Sequence, residues 1–344
     1  FDTFMSMALY HPKLGYYTSD HTVFGPNGDY HTAPTLSPLF AQTLGQQCQS
    51  ILSHYPNGSI IEFGPGTGDL CAGILDTLHQ LDACPSRYIL VEMNPTFQAR
   101  QQQRLSQLPK PVFDCIEWVT PNQLVDLTPI QGLILANEVL DALPTQRYQI
   151  VNQHPHPLCV DRAENQFVWS VGPTPVALPI DLPQDLPEGY RFEYCANYAP
   201  WLQSCDQILQ QGIALLIDYG YENSQYFHPQ RQNGTLKCFY QQRHHDDPFV
   251  HIGQQDLSTH VNFSHVQSCA QALGFECCGF VSQARFLLNA GLLDHVHIED
   301  AKTHLQHAAQ IHRLTAPNEM GSIMNVLGLS KHHPDALRGF TDCF

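Results

Sequence analysis

The chain has 344 residues, 43% of them hydrophobic and 14% charged, enough to bury one large core or a core with a substantial insertion. Its 16 basic residues face 32 acidic ones, and the net charge of −16 argues against a nucleic-acid backbone as partner, because counterion release needs clustered Lys and Arg. No run of about 18 apolar residues predicts a membrane span, and 12 cysteines without a Cys-x-x-Cys read as reduced thiols.

Phe1 to Tyr10 is predicted helical, His11 to Tyr17 turns, and Phe24 to Pro34 is an irregular loop carrying Asp29. A loop of that length is expected to cover or line a site. Residues 1–54 are therefore read as an N-terminal cover and lid, and 55–344 as the main domain. The N-terminus lacks a charged-then-apolar signal pattern, so the expected location is cytoplasmic, or the mitochondrial matrix if a targeting segment was trimmed ahead of Phe1. Ser37 with Pro38 behind it predicts a helix start, with Phe40, Leu44, Cys48 and Ile51 on the apolar face.

The stretch from Ser59 to Leu70 predicts a buried strand, a glycine turn at Gly64, Gly66 and Gly68, and a helix whose apolar face is Leu70, Ile74, Leu78 and Leu81. Backbone can approach a ligand closely there. A dinucleotide fingerprint needs a third glycine where Asp69 stands, and a phosphate loop needs a Lys-Ser/Thr pair that is absent. Asp69 would also repel a pyrophosphate on the helix N-terminus. Glu62, two residues before the glycine run, instead resembles the class I S-adenosyl-L-methionine (SAM)-dependent methyltransferases, whose ligand carries a sulfonium and an α-amino group. Glu92 ends the next predicted strand, Arg87 to Glu92, at a spacing suited to binding both ribose hydroxyls.

Val112 to Val119 is predicted as the third strand and Gly132 to Ala136 as the fourth, running into Asn137-Glu138-Val139-Leu140-Asp141-Ala142-Leu143-Pro144. Ligands of doubly wound sheets bind beyond the C-terminal ends of the strands, so Asn137, Glu138 and Asp141 are expected beside the reacting group. The bland alternative is that Glu138 and Asp141 cap a following helix. Insertions are expected at about 145–190, as a hairpin of Arg147 to Val151 and Phe167 to Val171, and at about 221–262. A helix from Arg191 to Gln211 and a fifth strand from Gly212 to Gly220 lie between them. Further on, Ser264 to Leu273, Phe286 to Leu293 and Lys302 to Arg313 read as helices, and Phe275 to Val281 and Ser322 to Leu329 as strands. His244-His245-Asp246-Asp247 and His251 lack metal-ligand spacing, so no metal is expected.

Several motifs agree in order. Phe4-Met5, Gly15-Tyr16-Tyr17, Gly28-Asp29-Tyr30, the glycine turn, Val91-Glu92, Asn137 to Pro144, Asp218-Tyr219-Gly220, Gly234-Thr235-Leu236, Asp256-Leu257 and Val261-Asn262-Phe263 together resemble the MidA-like family of SAM-dependent methyltransferases. The mitochondrial branch of that family acts as a respiratory complex I assembly factor. The resemblance implies a Rossmann-like class I methyltransferase sheet with helices on both faces, an N-terminal helical and loop cover, and β-rich insertions. It implies SAM as cofactor, with S-adenosyl-L-homocysteine as product, held by Glu62, Gly64, Gly66, Gly68, Glu92 and Asn137. It also implies protein arginine N-methylation, the substrate being a protein with an exposed arginine such as a respiratory-complex subunit. Thr35 departs from the family, which usually has an acidic residue there.

A guanidinium is planar, permanently charged and forked, and carboxylates match it bidentately. Glu138 and Asp141 are the expected clamp, Asn137 an orienting amide and Asp29 a closing contact, with catalysis by positioning and electrostatics. Two other functions stay open at this point: a small-molecule N- or O-methyltransferase, and a SAM-binding assembly chaperone without turnover.

Overall fold

The computed structural model describes residues 1–19, 33–296, 300–317 and 319–341. Its centre is Ser59–Phe63 (β1), buried at all five positions. Arg87–Val91 (β2) and Ile130–Asn137 (β4) flank β1 in parallel. Ile116–Val119 (β3) lies beyond β2, and Leu209–Tyr221 (β5) beyond β4, both parallel. Glu276–Ser282 (β6) and Met324–Lys331 (β7) complete the order β6-β7-β5-β4-β1-β2-β3, β7 running antiparallel to both neighbours. This mixed α/β sheet agrees with the class I methyltransferase sheet that the family resemblance implies.

Two compact units divide the chain. One comprises His31–Val139, Leu202–Tyr219 and Ala270–Phe344 and holds this sheet; the other comprises Phe1–Tyr30, Leu140–Trp201 and Gly220–Cys269. In the sheet unit, Ser37 Oγ caps helix Pro38–Leu52 by accepting from Leu39 N–H at 3.1 Å. The predicted face of Phe40, Leu44, Cys48 and Ile51 is buried. It packs with Leu70, Ile74 and Leu78 of helix Asp69–Gln80 and with Ile60, Leu90, Leu133 and Leu215 of the strands. Each such aliphatic side chain contributes about 1.5–3 kcal/mol on full burial. Leu81, expected on the same face, stands past the helix end and is 46% exposed.

In the other unit, helix Asp2–Tyr10 is as predicted, but the expected hairpin is a sheet of four strands. Its order is Gln166–Val171, His154–Ala163, Gln146–Val151, Arg191–Tyr194. Pro155 and Pro157 sit within a strand that sequence reading treats as a turn, opposite Ile150 and Tyr148. Arg191–Tyr194 is a strand and not the start of a helix, because pairing with Gln146–Gln149 supplies the partner that local propensity cannot see. Tyr148, Ile150, Tyr190, Phe192, Tyr226 and Phe227 form a buried cluster of this unit. The helix after that strand is only Tyr198–Ile208, and β5 begins at once with Leu209. The third strand is likewise shorter than expected: Lys110–Phe113, with Pro111 in its first turn, is helical.

Candidate active site

Beyond Phe63 the backbone enters three glycines of positive φ: Gly64 at 60°, Gly66 at 52° and Gly68 at 82°. An L side chain is strained in each conformation, and a Cβ on Gly64 would stand 3.1 Å from Val139 Cγ2. Gly68 N–H closes the turn on the Pro65 carbonyl at 2.8 Å, and Gly68 is the N-cap of helix Asp69–Gln80. The result is a cradle of bare backbone at the C-terminal edge of β1. Asp69 accepts from Thr67 Oγ1 at 2.8 Å and from Arg104 Nε at 2.9 Å, so a carboxylate already occupies the position a phosphate would need.

Glu62 sits on β1 before the turn and is buried. Its Oε2 accepts from the Tyr88 hydroxyl at 2.7 Å. Burial pushes its carboxyl up to about 7, with the Tyr88 hydrogen bond opposing the shift. Glu92, just past β2, is also buried and raised by desolvation; Oε1 accepts from Asn94 N–H at 2.8 Å and Oε2 from Gln101 Nε2 at 3.1 Å.

Gln101 is a residue the sequence reading missed. It is fully buried, and the same Nε2 donates to the Gly66 carbonyl at 2.8 Å while its Oε1 accepts from Trp118 Nε1 at 3.1 Å. It therefore ties the glycine turn to Glu92. Phe97, Gln101 and Leu105 are the buried residues of helix Pro95–Leu105, at i, i+4 and i+8. A glutamine on an apolar stripe was the available signal.

At the end of β4, Asn137 Nδ2 donates to Glu138 Oε1 at 3.2 Å, while Asn137 Oδ1 is buried with no hydrogen-bond partner among the described residues. Glu138 takes φ 54°, a left-handed conformation sparsely populated outside glycine. Its N–H donates to the Ile217 carbonyl at 2.8 Å, and the next N–H, of Val139, donates to Asp218 Oδ2 at 3.1 Å. No helix follows: the next regular element is the strand Gln146–Val151, so neither Glu138 nor Asp141 is a helix cap.

Asp141 belongs to the other unit. Its buried carboxylate accepts from Ser258 Oγ, its carbonyl accepts from Thr259 N–H at 3.0 Å, and burial pushes its carboxyl up to about 6. Nearby in that unit Tyr17 donates to Asp256 Oδ1 at 2.8 Å, and Tyr10 donates to the Ala142 carbonyl at 2.9 Å. Asp29 lies outside the described residues.

Residues 42–281 match the family described as "Putative S-adenosyl-L-methionine-dependent methyltransferase". The chain belongs to this methyltransferase family. A structure from Burkholderia thailandensis, described as a "likely methyl transferase" bound to S-adenosyl-homocysteine, superposes with a TM-score of 0.90 at 33% identity. That match covers 99% of this chain and 90% of the other. The mitochondrial protein arginine methyltransferase NDUFAF7 homolog of Drosophila melanogaster is 29% identical across 83% of this chain and 69% of its own length. The Mus musculus protein arginine methyltransferase NDUFAF7 is 27% identical across 96% of this chain and 80% of its own length. The fold is the class I methyltransferase fold, the chain is an enzyme of that class, and SAM is its cofactor.

The methyltransferase's residues fit that cofactor. Three glycines of positive φ turn the backbone directly beyond β1, Glu92 retains acceptor capacity beyond the hydrogen bonds from Asn94 and Gln101, and the unpartnered Asn137 Oδ1 can accept a hydrogen bond from an ammonium group. Among the described residues no group of three or more His, Cys, Asp or Glu is disposed to hold a metal, and no helix is long and apolar enough to cross a membrane.

Proposed function

We propose that this methyltransferase modifies a guanidinium nitrogen of arginine in a protein substrate. The observation that carries the reading is Glu138, a carboxylate held in a left-handed turn at the end of β4, one residue before the valine that packs on Gly64. Gly64, Gly66, Gly68, Glu92 and Asn137 would hold SAM, the carboxylate of Glu92 taking the ribose hydroxyls. Glu62 joins them by supporting β1 from below the turn. Bound there, SAM supplies an electrophilic methyl group on a sulfonium.

Glu138 accepts N–H groups of the guanidinium, fixes its plane and draws positive charge away from the attacking nitrogen, whose lone pair is otherwise delocalised. Asn137 orients Glu138 through its Nδ2 donor. The contribution is positioning and electrostatics, with no covalent enzyme intermediate. The relatives named as arginine methyltransferases support the choice of acceptor. Their mitochondrial names support the matrix as location, and a respiratory-complex subunit fits that setting. The clamp as proposed needs Asn137 and Glu138 alone; Asp141 and Asp29 are not assigned to it.

The test is transfer of labelled methyl from SAM into protein of a mitochondrial extract, followed by mass spectrometry of the labelled residue. Methylarginine that disappears with Glu138→Gln supports the proposal. Label confined to lysine, to protein termini or to small molecules would sink it.

A further inference from the structure

We propose that Asp218 is a positioning residue for methyl transfer. It rests on the reading of Asn137 and Glu138 as the acceptor-facing pair, and it names what holds that pair in place. Asp218 lies near the end of β5, fully buried, in a strand whose register sets Asn137 opposite Ile217. Its two carboxylate oxygens divide their work. Oδ1 accepts from the N–H of Tyr219 at 2.8 Å, which fixes the carboxylate against its own strand. Oδ2 accepts from the N–H of Val139 at 3.1 Å, which fastens the turn beyond β4.

That turn needs fastening. Glu138 at φ 54° holds a strained backbone conformation that surrounding contacts must maintain. Backbone pairing supplies one contact, Glu138 N–H to the Ile217 carbonyl, but pairing stops there, and the next N–H is taken by a side chain instead. A hydrogen bond to a charged acceptor is about twice as strong as a neutral one, so a carboxylate suits the task better than an amide. Val139 also carries the constraint outward, because its Cγ2 lies 3.1 Å from where a Cβ on Gly64 would stand. Asp218 thus sets both the direction of the Glu138 carboxylate and the seat of Val139 on the glycine turn.

The experiment compares full-length wild type, Asp218→Asn, Glu138→Gln and a chain carrying the α-hydroxy analogue of valine at 139, which replaces that one N–H by oxygen. Initial rates of labelled methyl transfer from SAM into extract protein give apparent kcat and the KM for SAM, and calorimetry gives the affinity for S-adenosyl-homocysteine. The expected result is an apparent kcat at least tenfold lower in Asp218→Asn and in the α-hydroxy chain, with KM and affinity within about twofold of wild type. A wild-type kcat in the α-hydroxy chain overturns the proposal, whether or not Asp218→Asn folds. So does a parallel loss of kcat and S-adenosyl-homocysteine affinity, which would make Asp218 a general support of the sheet. If Glu138→Gln loses activity while both other variants keep it, the positioning role fails and the acceptor reading stands. If Glu138→Gln keeps full activity, the acceptor reading fails, and with it the role of Asp218.

Discussion

The hydroxyl of Tyr88 on β2 donates to Oε2 of Glu62 on β1 at 2.7 Å, inside a sheet where both side chains are buried. The pair joins the first two strands beneath the glycine turn and leaves an acid in apolar surroundings. Burial dominates, so the carboxyl ionises near 7 in the fold against a usual value of 4.5.

This gives a pH dependence with a definite sign. Between those two values the folded chain binds a proton that the unfolded chain has released, so the stability contributed by this group is fully present below about pH 4.5 and is lost as pH rises to about 7. The contribution is on the order of 3 kcal/mol for a shift of this size. Glu62→Gln should flatten that part of the profile and raise the urea midpoint above pH 7. An unchanged slope across the window would assign the ionisation elsewhere.

Gln101 is expected to matter for cofactor affinity although it is fully buried. Replacing it by Leu keeps the apolar stripe of its helix but leaves the Gly66 carbonyl, Glu92 Oε2 and Trp118 Nε1 each short of a partner. Unmet polar groups of this kind cost about 1–3 kcal/mol each. Calorimetry with S-adenosyl-homocysteine should show affinity lowered by about tenfold or more in Gln101→Leu. Binding at wild-type strength would mean that the turn and Glu92 are set independently of this side chain.

The other unit has its own test of electrostatics, in a buried ion pair. Arg147 Nε donates to Glu193 Oε1 at 2.9 Å, with the two side chains only 6% and 1% exposed. Glu193 Oε2 takes the N–H and hydroxyl of Thr235, and Arg147 also donates to the Asn233 carbonyl and lies over the Trp169 ring. Arg147→Met should destabilise by roughly 3–5 kcal/mol, because it strands a buried carboxylate. Adding Glu193→Leu should restore part of the loss. Equal melting temperatures for wild type and Arg147→Met would show that Thr235 alone satisfies Glu193.

Much of the site was legible because it is local in sequence. Three glycines in five residues, a carboxylate on either side and an Asn-Glu pair after an apolar strand each carry their meaning in one short segment. The errors fell where pairing is long-range. Arg191–Tyr194 takes its strand form from Gln146–Gln149, and His154–Ala163 accommodates two prolines because Pro155 and Pro157 pair on one side only, with Ile150 and Tyr148, the second partner strand beginning at Leu158. Leu81 kept helical spacing from Leu78 in the sequence, yet the helix had already ended.

The sequence by itself determined the family, the strand-turn-helix proposed to meet the cofactor, and the segment where chemistry is expected, since backbone conformation and residue type decide these within a few positions. Only the tertiary structure decided what steadies them. Gln101 lies 35 positions from the glycine it bonds, and Asp218 lies 79 from Val139. A buried amide or carboxylate has meaning only through the partner that folding brings to it, and no local pattern announces which partner that will be.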